Sequence, residues 1–105
     1  MTTVRSKKIK YGSKELEKDF GPLTFARLLE SHRLAEEISQ VKMAKKLKIS
    51  RQKLNDFEHG RRFPSLGAAA VMAEALGEHP ATWVSAVIEE MLRKEHLDFK
   101  VTLAG

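Results

Sequence analysis

Apolar side chains recur at three- and four-residue spacing in five segments of the chain, which is the period of an amphipathic helix. Residues that favour the start or the end of a helix flank these segments. They are Pro22, Ser39, Ser50 and Ser65 on the N-terminal sides, and Gly60 and Gly77 on the C-terminal sides. The pattern therefore predicts five helices, which cover residues 22–37, 40–47, 51–59, 66–76 and 80–95.

Two of the predicted apolar faces have unusual features. In the first helix, Leu23, Ala26 and Leu29 share one side with Arg33, and the periodicity gives no reason for an arginine there. In the fifth helix, the apolar stripe is wider than one face of a small core needs. It consists of Trp83, Val84, Val87, Ile88, Met91 and Leu92. This stripe predicts either burial within the subunit or a dimer interface shared with the C-terminal tail.

Both ends of the chain alternate apolar and polar residues, which is the pattern of a β-strand. Phe99, Val101 and Leu103 alternate with polar residues in the tail, and residues 7–11 do so more weakly. A lone strand leaves its backbone polar groups unpaired, so the tail needs a partner. That partner is either residues 7–11 or the same tail of a second subunit. The sequence therefore predicts an all-α fold with a short β-strand near each terminus.

Charge is distributed unevenly along the 105 residues, whose formal net charge is +5. Residues 1–20 contain six basic and three acidic side chains, residues 21–62 ten and five, and residues 63–105 three and six. The basic half ends where the acidic half begins, which indicates either a polyanionic partner on one side of the molecule or a solvated charged surface without a partner. The basic N-terminal arm has three interpretations: disorder, contact with a DNA backbone or minor groove, or contact with a protein partner.

The most informative stretch is residues 39–60, which predict two capped helices joined by a turn too short for antiparallel packing. The helices must then cross steeply, and Leu54 and Phe57 hold the second helix on the core. The opposite face of that helix is polar and fits the DNA major groove, where Arg can pair with guanine and Gln or Asn with adenine. The predicted base-contacting residues are Arg51, Gln52, Asn55 and Asp56.

Positive charge surrounds this polar face, since residues 39–62 carry eight basic and two acidic side chains. The predicted phosphate contacts are five of these basic side chains and one histidine, namely Lys42, Lys45, Lys53, Arg61, Arg62 and His59. Asp56 has two interpretations. Its carboxylate can accept a hydrogen bond from cytosine N4, or it has a structural or excluding role because phosphates repel it.

The segment SQVKMAKKLKISRQKLNDFEHGRRFP, followed by AAAVMAEALG and the Trp of ATWV, resembles the Cro/CI-type (XRE) helix-turn-helix family over roughly residues 23–88. The resemblance implies a lambda-repressor-like domain of five helices. It also implies a phosphate contact for Gln40 and a structural ion pair between Arg33 and Glu58, which would explain the arginine on the apolar face. Base contacts fall on Arg51, Gln52 and Asn55.

The chain departs from the family at Lys48, where members often have Gly in the turn. A left-handed backbone there costs a non-Gly residue about 1 kcal/mol, so the turn is either slightly strained or slightly different from that of the family. Both termini extend beyond the resemblance, so we expect three parts. These are a basic arm over residues 1–20, a helix-turn-helix DNA-binding domain over residues 21–95, and a strand or tail over residues 96–105.

These features predict sequence-specific binding to a double-stranded DNA operator by a homodimer that regulates transcription, most simply as a repressor. One alternative is an antitoxin that neutralises a toxin protein and autoregulates its operon, because the N-terminal segment and the C-terminal strand could pair with another protein. Another is a phage or mobile-element regulator that acts alone.

The sequence contains no nucleophile–base arrangement, phosphate-binding glycine loop or metal-ligand spacing, so we expect no enzyme activity, no cofactor and no metal. Surface or capping roles are predicted for the histidines, which are His32, His59, His79 and His96. There is no Cys and hence no disulfide. The absence of a signal peptide and of an apolar run of about 20 residues predicts a cytoplasmic protein without membrane contact, nucleoid-associated when bound to DNA.

Overall fold

The computed structural model describes residues 23–103, and this part of the chain forms five α-helices and no strand. The helices are α1 (Phe25–Ala35), α2 (Gln40–Leu47), α3 (Arg51–Glu58), α4 (Leu66–Ala75) and α5 (Pro80–Lys94). The predicted all-α, five-helix fold is confirmed over this range. The basic arm, with its weak strand pattern, lies outside the described residues.

Hydroxyl side chains start four of the five helices. The predicted caps Ser39, Ser50 and Ser65 each accept a hydrogen bond from the backbone N–H three residues later, at 3.0–3.1 Å. The predicted start of the first helix at Pro22 is wrong, because α1 begins at Phe25. The Thr24 hydroxyl accepts from the Arg27 N–H at 3.1 Å, and proline has no side-chain acceptor that could do this.

Three aromatic rings from three helices form the centre of the core. Phe25 of α1 packs edge-on against Phe57 of α3, with ring centroids 5.9 Å apart, and against Trp83 of α5, at 5.7 Å. The predicted face of α1 is partly wrong, because Phe25 and Leu29 are fully buried whereas Ala26 is only half-buried. Since Phe57 and its neighbours belong to the core, this packing decides which face of α3 points to solvent.

Two carboxylates connect α1 to the C-terminal half of the domain. Glu78 Oε2 lies 2.5 Å from Nδ1 of His32, whose side chain is only 8% exposed, so the predicted surface or capping role of this histidine is wrong. Glu90 of α5 accepts a hydrogen bond from the Phe25 N–H at 3.1 Å. Burial raises the pKa of Glu90 above its usual value, and the Phe25 hydrogen bond opposes that shift.

The tail that follows α5 does not form the predicted strand. His96 has a left-handed backbone (φ 62°), which ends the helix, and residues 97–103 pair with no strand in the described part of the chain. The Val101 N–H instead donates to Glu89 Oε2 of α5 at 2.8 Å. This carboxylate satisfies one backbone donor of the tail within the subunit. The predicted strand partners, residues 7–11 or a second subunit, lie outside the described part of the chain.

Lys48 has a left-handed backbone in the turn between α2 and α3, so the strained turn is the alternative that the structure shows. Lys48 ends α2 with φ 60° and ψ 42°, and the Ile49 N–H reaches back to the Ala44 carbonyl at 3.0 Å. This backbone places Cβ close to the following carbonyl oxygen, so it is unfavourable for every residue except glycine. The turn is therefore mildly strained at Lys48.

Replacing Lys48 with glycine is expected to stabilise the protein by about 1 kcal/mol, because glycine removes the Cβ clash of the left-handed turn. Denaturant unfolding followed by circular dichroism measures the change. The matched control is Lys46→Gly, which replaces an exposed lysine inside α2 and should destabilise by about 1 kcal/mol. Equal effects of the two substitutions would contradict a left-handed backbone at residue 48.

Candidate nucleic-acid interface

Helix α3 presents one polar face to solvent because its other face is held in the core. Leu54 and Phe57 are buried beneath it. Arg51 and Gln52 are exposed, and Asn55 and Asp56 are half-buried beside them. The structure therefore brings the four predicted base-contacting side chains together on the solvent side of one helix.

An ion pair between α1 and α3 lies behind this face. Arg33 Nε donates to Glu58 Oε2 at 2.8 Å, and Arg33 Nη2 donates to Glu58 Oε1 at 3.1 Å. The Glu58 side chain is 2% exposed and that of Arg33 is 15% exposed. The hydrogen bonds to Glu58 raise the pKa of the Arg33 guanidinium above its usual value. Arg33 also donates to the Ile38 carbonyl at 3.2 Å, so the pair fixes the end of α1 as well as the position of α3.

Gln40, the first residue of α2, links the ion pair to the exposed face. Its Nε2 donates to Glu58 Oε1 at 3.0 Å and to Asn55 Oδ1 at 3.1 Å, and its Oε1 accepts from Arg51 Nη1 at 3.0 Å. Both amide hydrogens are thus directed at protein oxygens. A phosphate contact through this side chain, as the resemblance implies, would require one of these hydrogen bonds to be exchanged.

Sequence reasoning missed this network around Gln40, although it identified the residues separately. The spacing between Gln40 and Asn55 carries no signal of contact, because the two side chains meet only where α2 crosses α3. Through its hydrogen bonds to Arg51 and Asn55, Gln40 orients both side chains. The remaining N–H groups of Arg51 are left for an acceptor outside the protein.

A second polar cluster, the Asp56 cluster, lies beside the Gln40 network and consists of Gln52, Asp56 and Arg61. Asp56 Oδ1 accepts from Gln52 Nε2 at 3.1 Å and from Arg61 Nε at 3.1 Å. Arg61 Nη2 also lies 3.0 Å from this oxygen. The predicted phosphate contact Arg61 is therefore paired with an acidic residue of α3, while its side chain remains about half exposed.

Exposed basic residues precede, lie on and follow α3 in the sequence, and we call them the basic rim. The predicted phosphate-contacting lysines and arginines are all exposed; they are Lys42, Lys45, Lys53, Arg61 and Arg62. His59 is also exposed, and its Nδ1 lies 2.8 Å from the Asn55 carbonyl oxygen at the end of α3. The two acidic residues of the segment are Asp56, which Arg61 partly neutralises, and the buried Glu58. The surface offered to a polyanion is consequently strongly positive.

A metal site and a membrane-spanning helix are both absent from residues 23–103. No three His, Asp or Glu side chains in this range come together as metal ligands. None of its helices has the length and apolar character needed to cross a membrane.

Two short capped helices, a tight left-handed turn and an outward polar face on the second helix define a helix-turn-helix domain. A family model described as a helix-turn-helix domain matches residues 24–82, which is more than half of the chain. The protein belongs to this helix-turn-helix domain family. No curated protein and no solved structure matched the chain. DNA binding is the activity that a domain of this family implies.

Proposed function

We propose that this protein is a Cro/CI-type transcriptional regulator that binds double-stranded DNA sequence-specifically, with α3 in the major groove. The observation that carries the proposal is the outward face of α3, where Arg51, Gln52 and Asn55 stand together inside a basic rim. The major groove accepts one helix, and these three side chain types can pair with base edges there.

The hydrogen-bond inventory supports specific partners for these side chains. Arg51 uses one Nη1–H for Gln40 and keeps further donors that suit the O6 and N7 acceptors of guanine. Gln52 and Asn55 carry amides that suit the donor and acceptor pair of adenine. Since α3 is fixed by the core and by the ion pair, these groups would reach the groove from a rigid support.

Lys53→Ala is expected to weaken binding to all duplexes by a similar factor and to reduce the slope of log K against log salt by about one, because one phosphate contact is lost. Lys53 is exposed on α3 and its Nζ stands 6.0 Å from the Phe57 ring centroid. Fluorescence anisotropy titrations over a range of salt concentrations measure both quantities. The control is Gln52→Ala, which removes no charge and should leave the slope unchanged. A loss confined to particular sequences would contradict a phosphate contact for Lys53.

We also propose that the protein acts as a homodimer through α5 and the tail. The inner part of the apolar stripe, Trp83 and Val87, is buried within the subunit. Met91 remains 54% exposed and Phe99 61% exposed, close to the C-terminal end of the described chain. A second copy would cover these apolar side chains and would place two copies of α3 on successive turns of DNA.

Sedimentation equilibrium tests this dimer. Met91→Glu and Phe99→Glu are expected to shift the protein towards the monomer, because a charge would have to be buried at the interface. The matched control is Val71→Glu on α4, which is 65% exposed and lies outside the proposed interface. A dimer that survives both substitutions, or that Val71→Glu disrupts equally, contradicts the use of α5 and the tail.

Repression by occupying an operator is the simplest regulatory consequence of such binding, and we propose it as the biological role. The antitoxin alternative depended on two segments for pairing with a toxin. One of them, the N-terminal arm, lies outside the described residues, and the other, the tail, would form a strand only with a partner. The outward polar face of α3 is the observation that favours the DNA-binding regulator.

A further inference from the structure

Of the two acidic residues of α3, Glu58 is buried and Asp56 lies on the polar face, where phosphates would repel it. Its neighbours explain how it is tolerated. A single oxygen, Oδ1, accepts from Gln52 Nε2, one helical turn earlier, and from Arg61 in the loop after α3. Arg61 makes a second hydrogen bond to the same residue, because its backbone N–H donates to the Asp56 carbonyl at 2.9 Å.

The hydrogen bond to Asp56 restricts what Gln52 can offer to a base. A free glutamine amide has two N–H donors and can present both to the O6 and N7 acceptors of guanine. With one N–H engaged by Asp56, Gln52 keeps one donor and its carbonyl oxygen. That combination matches adenine, which presents the N7 acceptor and the N6 donor.

We propose that Asp56 is a specificity-determining positioning residue, which directs Gln52 towards adenine and against guanine without itself contacting a base. The inference rests on the proposed function, because it concerns the base preference of the same helix. The negative charge of Asp56 has a second effect, which lowers the affinity for DNA. It weakens attraction to any duplex, so Asp56 reduces non-specific binding while it sharpens the choice of base.

The test compares wild-type protein with Asp56→Ala, Asp56→Asn and Gln52→Ala on a selected duplex, on its adenine-to-guanine substitutions and on a scrambled duplex. The position at which Gln52→Ala removes the base preference identifies the contact of Gln52. At that position, Asp56→Ala is expected to lower the adenine-over-guanine preference by at least about fivefold, the low end of what one paired base contact supplies. On the scrambled duplex it is expected to bind about two- to fivefold more tightly than wild type, because a repelled charge is gone.

Asp56→Asn separates the two effects. Asparagine keeps an acceptor oxygen near Gln52 but loses the charge, so the adenine preference should persist while scrambled DNA is bound more tightly. A double variant, Gln52→Ala with Asp56→Ala, should show the same base preference as Gln52→Ala alone, because Asp56 acts through Gln52. A residue that only stabilised the loop would instead weaken all duplexes equally.

The proposal is overturned if Asp56→Ala, folded as judged by circular dichroism, retains the wild-type preference at the Gln52 position. It is also overturned if the double variant loses as much adenine-over-guanine preference as the two single substitutions lose together. If the wild-type protein shows no base preference at all, both the proposed function and this inference are overturned. If the wild-type protein is specific and Asp56→Ala leaves its base preference unchanged, the inference alone is overturned.

Discussion

Replacing Arg33 with methionine is expected to destabilise the protein by about 3–5 kcal/mol, because the substitution leaves a carboxylate buried without its charged partner. The Glu58 side chain is 2% exposed, and among the described residues the neutral Gln40 amide would remain as its donor. Denaturant unfolding of wild type and variant under the same conditions measures the loss. This is the largest effect on stability that we expect from a single exchange of one polar side chain.

The double variant Arg33→Met with Glu58→Met is the control for this prediction. Removing both charges eliminates the buried unpaired carboxylate, so much of the lost stability should return. Gln40 would still donate to Asn55 in that variant. A single variant that is as stable as wild type would show that the Arg33–Glu58 pair does not hold α1 and α3 together.

Replacing Arg51 with alanine is expected to weaken binding to the preferred duplex by about 1–3 kcal/mol and to abolish the preference at one base pair. Arg51 is exposed at the first position of α3, and its guanidinium is oriented by Gln40. Titration of the variant against single-base substitutions of the duplex measures both effects.

The control for Arg51→Ala is Arg62→Ala, which also removes one positive charge, from the basic rim. It should weaken all duplexes by a similar factor without changing the base preference. If Arg51→Ala behaves in the same way as Arg62→Ala, Arg51 contacts the backbone and not a base.

The parts of the fold that depend on neighbouring residues could be predicted from the sequence. Ser39 and Ser50 cap helices because each hydroxyl needs only an N–H three residues away. The family resemblance also identifies Lys48 as the turn residue, where a left-handed backbone is one of two alternatives and the one observed. The outward face of α3 follows from the spacing of Leu54 and Phe57.

The parts that depend on distant contacts could not be predicted in the same way. Phe99, Val101 and Leu103 alternate as a strand would, but a strand forms only with a partner, and Glu89 takes the Val101 N–H instead. The hydrogen bonds of Gln40 could not be predicted either, because they depend on how α2 crosses α3. The sequence places the start of α1 at Pro22 and not after Thr24, because both residue types are common at helix N-termini. The hydrogen bond from the Arg27 N–H to the Thr24 hydroxyl distinguishes them.

Selection of bound sites from random duplex DNA, followed by sequencing of the enriched pool, tests the central claim most directly. We expect a palindromic motif whose half-sites lie about one helical turn apart, as two copies of α3 in successive major grooves require. A pool without any enriched motif, and binding that disappears at moderate salt, would contradict sequence-specific recognition by α3 and leave only a non-specific attraction of the basic surface to DNA.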